Sequence, residues 1–462
     1  MRYLFLFVCM QFCILTSFAG EILNFCKDWK FRLGDAGKDA STCYYDDSNW
    51  RNLTLPHDWS IEGNYSRTGN GTDWQSGFLP AGIGWYRKSF NYNPEWENKK
   101  IQIQFDGIYL NSEVWINGHL LGKRPNGYIG FVYDLTPYLN KGENHIAVRV
   151  DHSKPLTARW YTGSGIYRPV YLLVSNHTYI PYSGICFRAT MPEEKNHATY
   201  TVEVEVKTPE KTPIQVTALL QSSDGRIVGN CAQTFHPETD TICRLSAHIL
   251  HPHVWSPDDP YVYTLVCQLK KGNQIIDEQK QLVGFRNLDF SPIDGFKLNG
   301  HPMKLKGVCD HHTAGAVGAA VPDDLLHYRL KLLKEMGCNA IRTAHNPFSP
   351  TFYTMCDTMG IMVLNEGLDG WDTPKAANDY GNYFNDWWQQ DMTDFIKRDR
   401  NHPCIIMWSI GNEVSGTTPD VQQNLVRLFH TLAPGQPVTQ GGTDPTRGMN
   451  VDYDKNFSKL DI

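Results

Sequence analysis

The sequence lacks several features that mark particular classes of protein. It has no run of Lys or Arg, and its 43 basic and 49 acidic residues give a net charge of −6. Nucleic-acid binding is therefore disfavoured, because it needs a basic surface. After residue 19, no segment is long and apolar enough to cross a bilayer, which takes about 20 apolar residues in a helix. We therefore expect no nucleic-acid partner and no membrane span.

The cysteines are scattered, and none forms a CxxC pair. Of the 12, Cys9 and Cys13 lie near the start, and the other ten fall between Cys26 and Cys404. In a chain of 462 residues, this pattern argues against a zinc site and against a dense disulfide scaffold. Most of these cysteines are predicted to be small buried apolar residues.

An apolar N-terminus is the first informative segment. Arg2 precedes a mostly apolar run that ends in Ser17-Phe18-Ala19 before Gly20. This pattern is typical of a secretory signal peptide, which we assign to residues 1–19. A buried helix or an uncleaved anchor is the alternative, but the run is shorter than a membrane span and ends in small residues. The protein is therefore predicted to be exported, to the periplasm or out of the cell.

Residues 20–175 carry the pattern of a β-sandwich. Ile101, Ile103 and Phe105 alternate with polar residues, which is the period of a half-buried strand. Asn117-Gly118 stands between two apolar runs and is a strong hairpin signal. Because no convincing helix interrupts this region, a jelly-roll domain is predicted.

Residues 176–290 are predicted to form a second, smaller sandwich. Tyr200, Val202, Val204 and Val206 alternate with Thr and Glu, and the later short strands are separated by turn residues. Several short strands within about 110 residues are typical of an immunoglobulin-like β-sandwich.

Residues 291–462 show strands that alternate with helices, and the first strand is predicted in MKLKGVC, from Met303. The helix in PDDLLHYRLKLLKEMG is predicted to have Asp323 as N-cap and to stop at Gly337, and Ser349-Pro350 is predicted to open the next helix. The alternation indicates a parallel sheet covered by helices, which we interpret as a (β/α)8 TIM barrel. A complete barrel needs about 250 residues. We therefore expect about five of the eight β/α units and interpret the chain as a fragment.

Polar residues gather where the predicted barrel strands end. Active sites on this fold are built at the carboxyl ends of the strands, so these residues are the candidates for a site. His311 and His312 are neighbours on an extended segment and point to opposite sides, so we expect one in the site and one packed outward. In chain order the candidates are Asp310, His311, His312, Arg342, His345, Asn346, Glu366, Asp369, Asn412 and Glu413.

Several motifs, in order, resemble glycoside hydrolase family 2, most of all its secreted β-galactosidase-type members. They are LPHDWSIEG, GIGWYRKSF and RWYTGSGIYRPVYL in the first block, and LKGVCDHH, MGCNAIRTAHNP, LNEGLDGW and NHPCIIMWSIGNEV in the last. The resemblance covers essentially the whole chain after the predicted signal peptide. It implies a sugar-binding jelly-roll, an immunoglobulin-like domain and a (β/α)8 barrel, and hydrolysis of β-glycosides with retention of configuration.

The resemblance also implies roles for single residues. Glu413 matches the general acid/base, and Asn412 matches the neighbour that bonds the sugar 2-hydroxyl. His345 matches a residue that lines the sugar site, and Asp310 and Trp371 fall on site-lining segments. A Glu at the end of a strand as apolar as IIMWSI suits an acid whose pKa must be raised by a partly desolvated site.

Glu366 has two interpretations. The resemblance places it among the residues that line the sugar site, and in some family members its position also serves a bound magnesium ion. A structural ion pair with Arg342 or Arg398 is the alternative. The sequence by itself requires no cofactor, so magnesium at Glu366 remains an open expectation.

A retaining mechanism needs a nucleophile carboxylate about 5–5.5 Å from the acid/base. In the family this residue lies on barrel strand seven, whereas the last residues here, SKLDI, are interpreted as the start of strand six. We therefore expect this chain alone to be largely inactive. A non-catalytic carbohydrate-binding protein is the alternative from another class.

The substrate is expected to be a terminal β-galactoside or a β-linked oligosaccharide. The form WSIGNE, with Gly411 before the Asn-Glu pair, resembles galactosidases, whereas glucuronidases tend to have Ala there. A β-glucuronidase or another β-glycosidase of the family is the alternative. A homo-oligomer of the full-length form is left open.

Overall fold

The computed structural model describes residues 20–68, 74, 76–192, 194–414 and 419–442. The predicted signal peptide and the predicted start of a sixth barrel strand lie outside these ranges. No helix within them is both long enough and apolar enough to cross a membrane. The ten cysteines within them are free thiols, and six are buried, as expected for apolar filling.

The first domain is a sandwich of two antiparallel sheets. Its strands are β1 (Glu21–Asn24), β2 (Trp29–Leu33), β3 (Arg51–Leu53), β4 (Gly82–Asn91), β5 (Lys100–Phe105), β6 (Ser112–Ile116), β7 (His119–Arg124), β8 (Phe131–Asp134), β9 (Glu143–His152) and β10 (Val170–Ser175). One sheet has the order β1-β10-β5-β8 and the other β3-β2-β4-β9-β6-β7. The alternating Ile101, Ile103 and Phe105 of β5 are buried in the core between them, which confirms the predicted strand.

Two connections in this domain differ in length and in what they reach. The turn between β6 and β7 places Asn117 and Gly118 at φ of 50° and 83°, the left-handed backbone that a tight two-residue hairpin requires. The predicted hairpin is therefore confirmed. The longer connection, residues 153–169 between β9 and β10, reaches the third domain and carries Arg159 and Trp160 to it.

The second domain is the smaller sandwich. Its strands are β11 (Ile185–Thr190), β12 (His197–Glu205), β13 (Ile214–Gln221), β14 (Ile227–Phe235), β15 (Ile242–Leu250), β16 (Tyr263–Lys271) and β17 (Gln274–Val283). The sheets have the orders β11-β12-β15 and β14-β13-β16-β17. Tyr200, Val202, Val204 and Val206 all face the core, as their alternation predicts. This is the expected immunoglobulin-like domain.

The third domain is an incomplete barrel preceded by a small sheet. The small sheet contains β18 (Leu288–Ser291), β19 (Gly295–Leu298) and β20 (His301–Pro302). The barrel elements are β21 (Gly307–Asp310), α1 (Asp323–Glu335), β22 (Ala340–Thr343), α2 (Pro350–Met359), β23 (Met362–Glu366), α3 (Phe384–Asp399), β24 (Ile405–Asn412), α4 (Pro419–Leu432) and β25 (Val438–Gly441). The five strands are parallel and lie in sequence order.

Two predicted boundaries of this domain were wrong. The N-cap of α1 is Pro322, whose carbonyl accepts the N–H groups of Leu325 and Leu326, so Asp323 is already the first helical residue. The first barrel strand, predicted to begin at Met303, begins at Gly307. The N–H of Met303 donates instead to Phe296 at the edge of the small sheet, which delays the barrel strand.

Buried polar contacts fix the first domain against the barrel. Arg124, in β7, forms ion pairs with Asp391 at 2.7 Å and Asp394 at 2.9 Å, both on α3. Arg168 donates to the carbonyl of Pro347 at 2.8 Å, just after β22. Arg124 thus fixes β7 to α3, and Arg168 fixes the 153–169 connection beside the carboxyl end of β22.

Candidate active site

Three neighbouring barrel strands bring one polar side chain each to the same edge of the sheet. Arg342 of β22 donates through Nη2 to both oxygens of Glu366, at the end of β23, at 2.7 and 3.0 Å. The same nitrogen donates to Oδ1 of Asn412, at the end of β24, at 2.8 Å. Because parallel strands end at one edge of the sheet, this meeting follows from the strand order.

Glu366 is completely buried and fully engaged. Besides Arg342, it accepts the hydroxyl of Ser409 at 2.6 Å, and Nδ1 of His345 lies 2.7 Å from its Oε1. Burial lowers the pKa of Arg342, but the Glu366 carboxylate outweighs burial and raises that pKa above its usual value. Of the two proposed structural partners, Arg342 is the one present, because Arg398 pairs with Asp399.

The donor set around Glu366 does not fit a magnesium ion. Both carboxylate oxygens already contact a guanidinium, and a cation in that position repels a second one. The described part of the chain also has no group of three His, Cys, Asp or Glu residues placed to hold a metal. The expectation that Glu366 serves magnesium is therefore corrected. Glu366 instead belongs to a buried group of polar residues, with Arg342, His345 and Ser409, that we call the framework of the site.

Glu413 is placed quite differently. It follows the last residue of β24 with a left-handed backbone, φ 46°, a conformation that costs energy for a residue with a Cβ. Its N–H donates to the carbonyl of Gly441 at 3.0 Å, which holds this conformation. The side chain is 51 % exposed, and Oε2 accepts from Nη1 of Arg159 at 3.1 Å. The carboxylate therefore faces the open side of the site.

Asn412 has its amide orientation fixed from both sides. Oδ1 accepts from Arg342, and Nδ2 donates to Oδ1 of Asp369 at 2.9 Å. One amide hydrogen and one oxygen lone pair remain for another partner. The expected bond from this amide to a sugar hydroxyl stays a prediction.

Asp369 joins the first domain to the barrel at the site. Its Oδ1 accepts from Arg159 at 2.9 Å and from Lys375 at 2.9 Å. Burial raises the pKa of Asp369, but the two cations outweigh burial and hold it below the usual range. Lys375 also donates to the carbonyl of Asn412. One guanidinium, that of Arg159, thus bridges Asp369 and Glu413.

Trp160 and two histidines form the wall beside this ion network. The Trp160 ring lies 5.3 Å from His311 and 5.4 Å from His345, centroid to centroid. Burial and the neighbouring His345 lower the pKa of His311 to about 4, so it is neutral at ordinary pH. His312 instead contacts Tyr167 and the carbonyl of Thr162 in the first domain. The two histidines have different surroundings, as their adjacency predicted.

Asp310 and Trp371 lie near the site but do not join the ion network. Asp310, at the end of β21, pairs with Arg329 of α1 at 2.9 Å. Trp371 is only 1 % exposed, and its Nε1 donates to the carbonyl of Ile410 at 2.7 Å. A Cβ added to Gly411 would meet this nitrogen at 2.9 Å. Trp371 therefore packs against β24 and supports the strand, and its expected contact with substrate stays a prediction.

Arg159, Trp160 and Lys375 are site residues that the sequence analysis did not single out. Arg159 and Trp160 open the motif RWYTGSGIYRPVYL, so a signal existed. That motif belongs to a different domain, and only the fold shows that it reaches the barrel. Lys375 lies in an irregular loop between β23 and α3, where no sequence pattern marks it.

An aromatic cavity adjoins the site between the first domain and the loop after β23. His345 and Asp369 form part of its lining, which joins it to the polar network. The aromatic residues of the lining are Tyr109, Tyr128, Trp160, Tyr380 and Tyr383. Aromatic faces of this kind pack against the apolar faces of sugar rings.

Three family models match consecutive parts of the chain. They are described as "Glycosyl hydrolases family 2, sugar binding domain" for residues 24–176, "Glycosyl hydrolases family 2" for residues 183–286, and "Glycosyl hydrolases family 2, TIM barrel domain" for residues 293–460. The same three domains were predicted, in the same order, from the sequence.

The chain is similar to several bacterial proteins. A β-glycosidase from Bacteroides vulgatus has a solved structure that is 66% identical, with a TM-score of 0.90, over 95% of this chain and 58% of that chain. "Beta-galactosidase BoGH2A" from Bacteroides ovatus is 42% identical over 88% of this chain and 48% of its own length. A putative β-glucuronidase from Formosa agariphila is 41% identical over 91% of this chain and 40% of its own length. The chain thus spans about half the length of these curated relatives.

Proposed function

Because the chain belongs to glycosyl hydrolase family 2, we propose that Glu413 is the general acid/base for the hydrolysis of a terminal β-galactoside. The placement of its carboxylate carries the proposal. It lies at the carboxyl end of β24, half exposed, beside the fixed amide of Asn412. An acid/base must reach the substrate and exchange protons with water, and only an accessible carboxylate can do so.

In the proposed reaction Glu413 acts twice. It first donates a proton to the glycosidic oxygen as the bond to the sugar breaks, and it later accepts a proton from the attacking water. The contact with Arg159 must open before the first step, because that guanidinium occupies the Oε2 atom that faces it. Asn412 offers its remaining amide hydrogen and oxygen lone pair to a sugar hydroxyl.

We place the nucleophile outside the described residues. Glu366 is buried under three donors, and Oδ1 of Asp369 accepts from three more. A carboxylate in either position is stabilised as a structural anion and has no free path to a sugar carbon. The described residues therefore supply the acid/base and the sugar-binding groups of the proposed mechanism.

Galactose is the proposed sugar, and glucuronate is the second candidate. Gly411 supports galactose, since it matches the galactosidase form of the motif. The similar protein from Bacteroides ovatus is named a β-galactosidase, whereas the one from Formosa agariphila is named a putative β-glucuronidase.

The proposal is tested by titrating the 462-residue chain with galactose and with glucuronate in a calorimeter, alongside an assay with nitrophenyl β-galactoside. We expect galactose to bind more tightly than glucuronate, with hydrolysis near the background rate. Tighter binding of glucuronate would overturn the choice of sugar. Turnover at an ordinary enzyme rate, about 1–10³ s⁻¹, would overturn the placement of the nucleophile. Binding of neither sugar would overturn the function.

A further inference from the structure

A second cavity, of about 430 Å³, lies between the second domain and the barrel. The loop between α4 and β25 forms part of it, so it lies at the amino ends of the barrel strands, opposite Glu413. β11, the segment that joins β17 to β18 and the turn after α3 also line it. The proposed sugar site does not share any of these elements.

Three arginines line this cavity, and no carboxylate does. They are Arg188 of β11, Arg286 of the segment between domains, and Arg400 at the end of α3. Within the described ranges, neither Arg286 nor Arg400 has a carboxylate oxygen within 4.0 Å, whereas Arg188 has Glu203 at 3.6 Å. The cavity therefore contains more positive charge than its lining neutralises.

Backbone carbonyls account for only part of the hydrogen bonding of these arginines. Arg286 donates through Nη2 to Ile405 at 2.6 Å, and Arg400 donates through its two Nη atoms to Leu432 at 3.5 Å and Ile185 at 3.4 Å. The Nε atoms of all three arginines are buried and have no acceptor among the described residues.

A partly buried cation without a counter-charge is costly. All three arginines keep some exposure, and burial lowers the pKa of the Arg286 guanidinium to about 10. A purely structural arginine in such a place is usually paired with a carboxylate. Guanidinium groups match the oxygens of carboxylates, sulfates and phosphates, often through two parallel hydrogen bonds.

We propose that this cavity binds a small oxyanion between the second domain and the barrel. The ligand presents a carboxylate, sulfate or phosphate group to Arg286 and Arg400, with Arg188 at the rim. Its binding ties the immunoglobulin-like domain to the amino ends of the barrel strands and so stabilises their contact. The source is either a free inorganic anion or an acidic sugar.

The test is a thermal unfolding series on the 462-residue chain with phosphate, galacturonate or methyl β-galactoside, each against chloride at equal ionic strength. Phosphate is expected to raise Tm, and galacturonate to do the same if acidic sugars are the source.

Calorimetry on Arg286→Gln and Arg400→Gln should show phosphate affinity at least about tenfold weaker, because each loses charge-assisted hydrogen bonds. Arg226→Gln, an exposed arginine of the same domain that pairs with Asp224 away from the cavity, is the matched control and should bind as the unaltered chain does.

Two results would overturn the proposal. One is an absence of any Tm increase with either anion. The other is a phosphate-induced increase in Tm that is equally large in the unaltered chain and in Arg400→Gln. This comparison does not depend on Arg286→Gln, so it holds even if that variant does not fold. Saturating galactose should leave the phosphate affinity unchanged, so a failure of the proposed sugar site and a failure of this cavity are distinguishable.

Discussion

Two glutamates at the ends of adjacent barrel strands have opposite surroundings. Glu366 ends β23, is completely buried and contacts Arg342, His345 and Ser409. Glu413 follows β24, is half exposed and contacts one cation, Arg159, which comes from another domain. The same chemical group thus serves as a fixed anion in one strand and as an accessible one in the next.

The difference shows that two carboxylates at the same edge of a barrel can have different roles. One orients the side chains around it, and the other is free to react. A buried carboxylate with three donors fixes the orientation of its neighbours. A half-exposed carboxylate on a strained backbone can exchange protons and contact a ligand. Position at a strand end is therefore insufficient to assign a role, and the number of donors around the group decides between the two.

Removing the buried anion should have the largest effect on stability. Glu366→Gln leaves the partly buried Arg342 guanidinium without its counter-charge. Breaking a fully buried pair costs about 3–5 kcal/mol, so a loss of about 3 kcal/mol is expected here. Chemical denaturation should show that loss in the free energy of unfolding. The matched change Glu413→Gln should alter the free energy of unfolding by no more than about 0.5 kcal/mol, since its carboxylate is exposed. Equal losses in the two variants would contradict the contrast.

Adding one methyl group beneath Glu413 should have a smaller effect on stability. In Gly411→Ala the new Cβ would meet Trp371 at 2.9 Å and Val414 at 2.6 Å. Overpacking of this kind costs about 1–3 kcal/mol. Gly435→Ala, where a Cβ meets nothing within 4 Å, is the control. The two variants are compared by Tm, and an unchanged Tm for Gly411→Ala would mean that Trp371 moves freely.

Removing the ion pairs that Arg159 makes between the first domain and the barrel should lower the free energy of unfolding by less again. Arg159→Gln removes the guanidinium that bridges Asp369 and Glu413, while Asp369 keeps Lys375 and Asn412. Because Arg159 is about one-third exposed, we expect a loss near 1 kcal/mol. Denaturant midpoints measure it, with Arg244→Gln as the exposed control. A loss as large as that of Glu366→Gln would place Arg159 in the framework instead.

Acid should weaken the wall of the site through His311. Its pKa is about 4 in the folded chain and about 6.5 when unfolded, so below pH 6.5 the unfolded state binds more protons. Stability is therefore expected to fall between pH 6.5 and pH 4, and to be insensitive to this group above pH 6.5. His311→Asn should flatten that part of the pH profile of Tm. An unchanged profile would show that His311 is not held neutral.

The sequence predicted the fold better than the site. Periodicity located the strands and helices, because the spacing of apolar residues reflects which side chains are buried. The alternation of Ile101, Ile103 and Phe105 and the continuous run IIMWSI are examples. The N-cap of α1 was placed one residue too late, at Asp323 and not at Pro322, because Asp is a much commoner N-cap than Pro. The motif placed Glu413 and Asn412 correctly at a strand end. It could not show that Arg159 reaches them, because that contact spans 254 residues of chain.

Burial also separated residues that a motif groups together. Trp371 and Glu366 share the motif LNEGLDGW, yet the structure places one behind β24 and the other under Arg342. Neither position is visible from spacing, since both depend on which face of the sheet the neighbouring strands cover.

The most direct test of the role of Glu413 is the hydrolysis rate of phenyl β-galactoside, whose poor leaving group needs an acid. The enzyme for this test is a chimera that joins the chain to the remaining part of the Bacteroides vulgatus β-glycosidase, which is 66% identical over the shared region. In the chimera, Glu413→Gln should slow this hydrolysis about 10²- to 10⁴-fold and slow dinitrophenyl β-galactoside much less, with Tm unchanged. Equal rates on phenyl β-galactoside with and without the substitution would contradict the assignment of Glu413 as the acid/base.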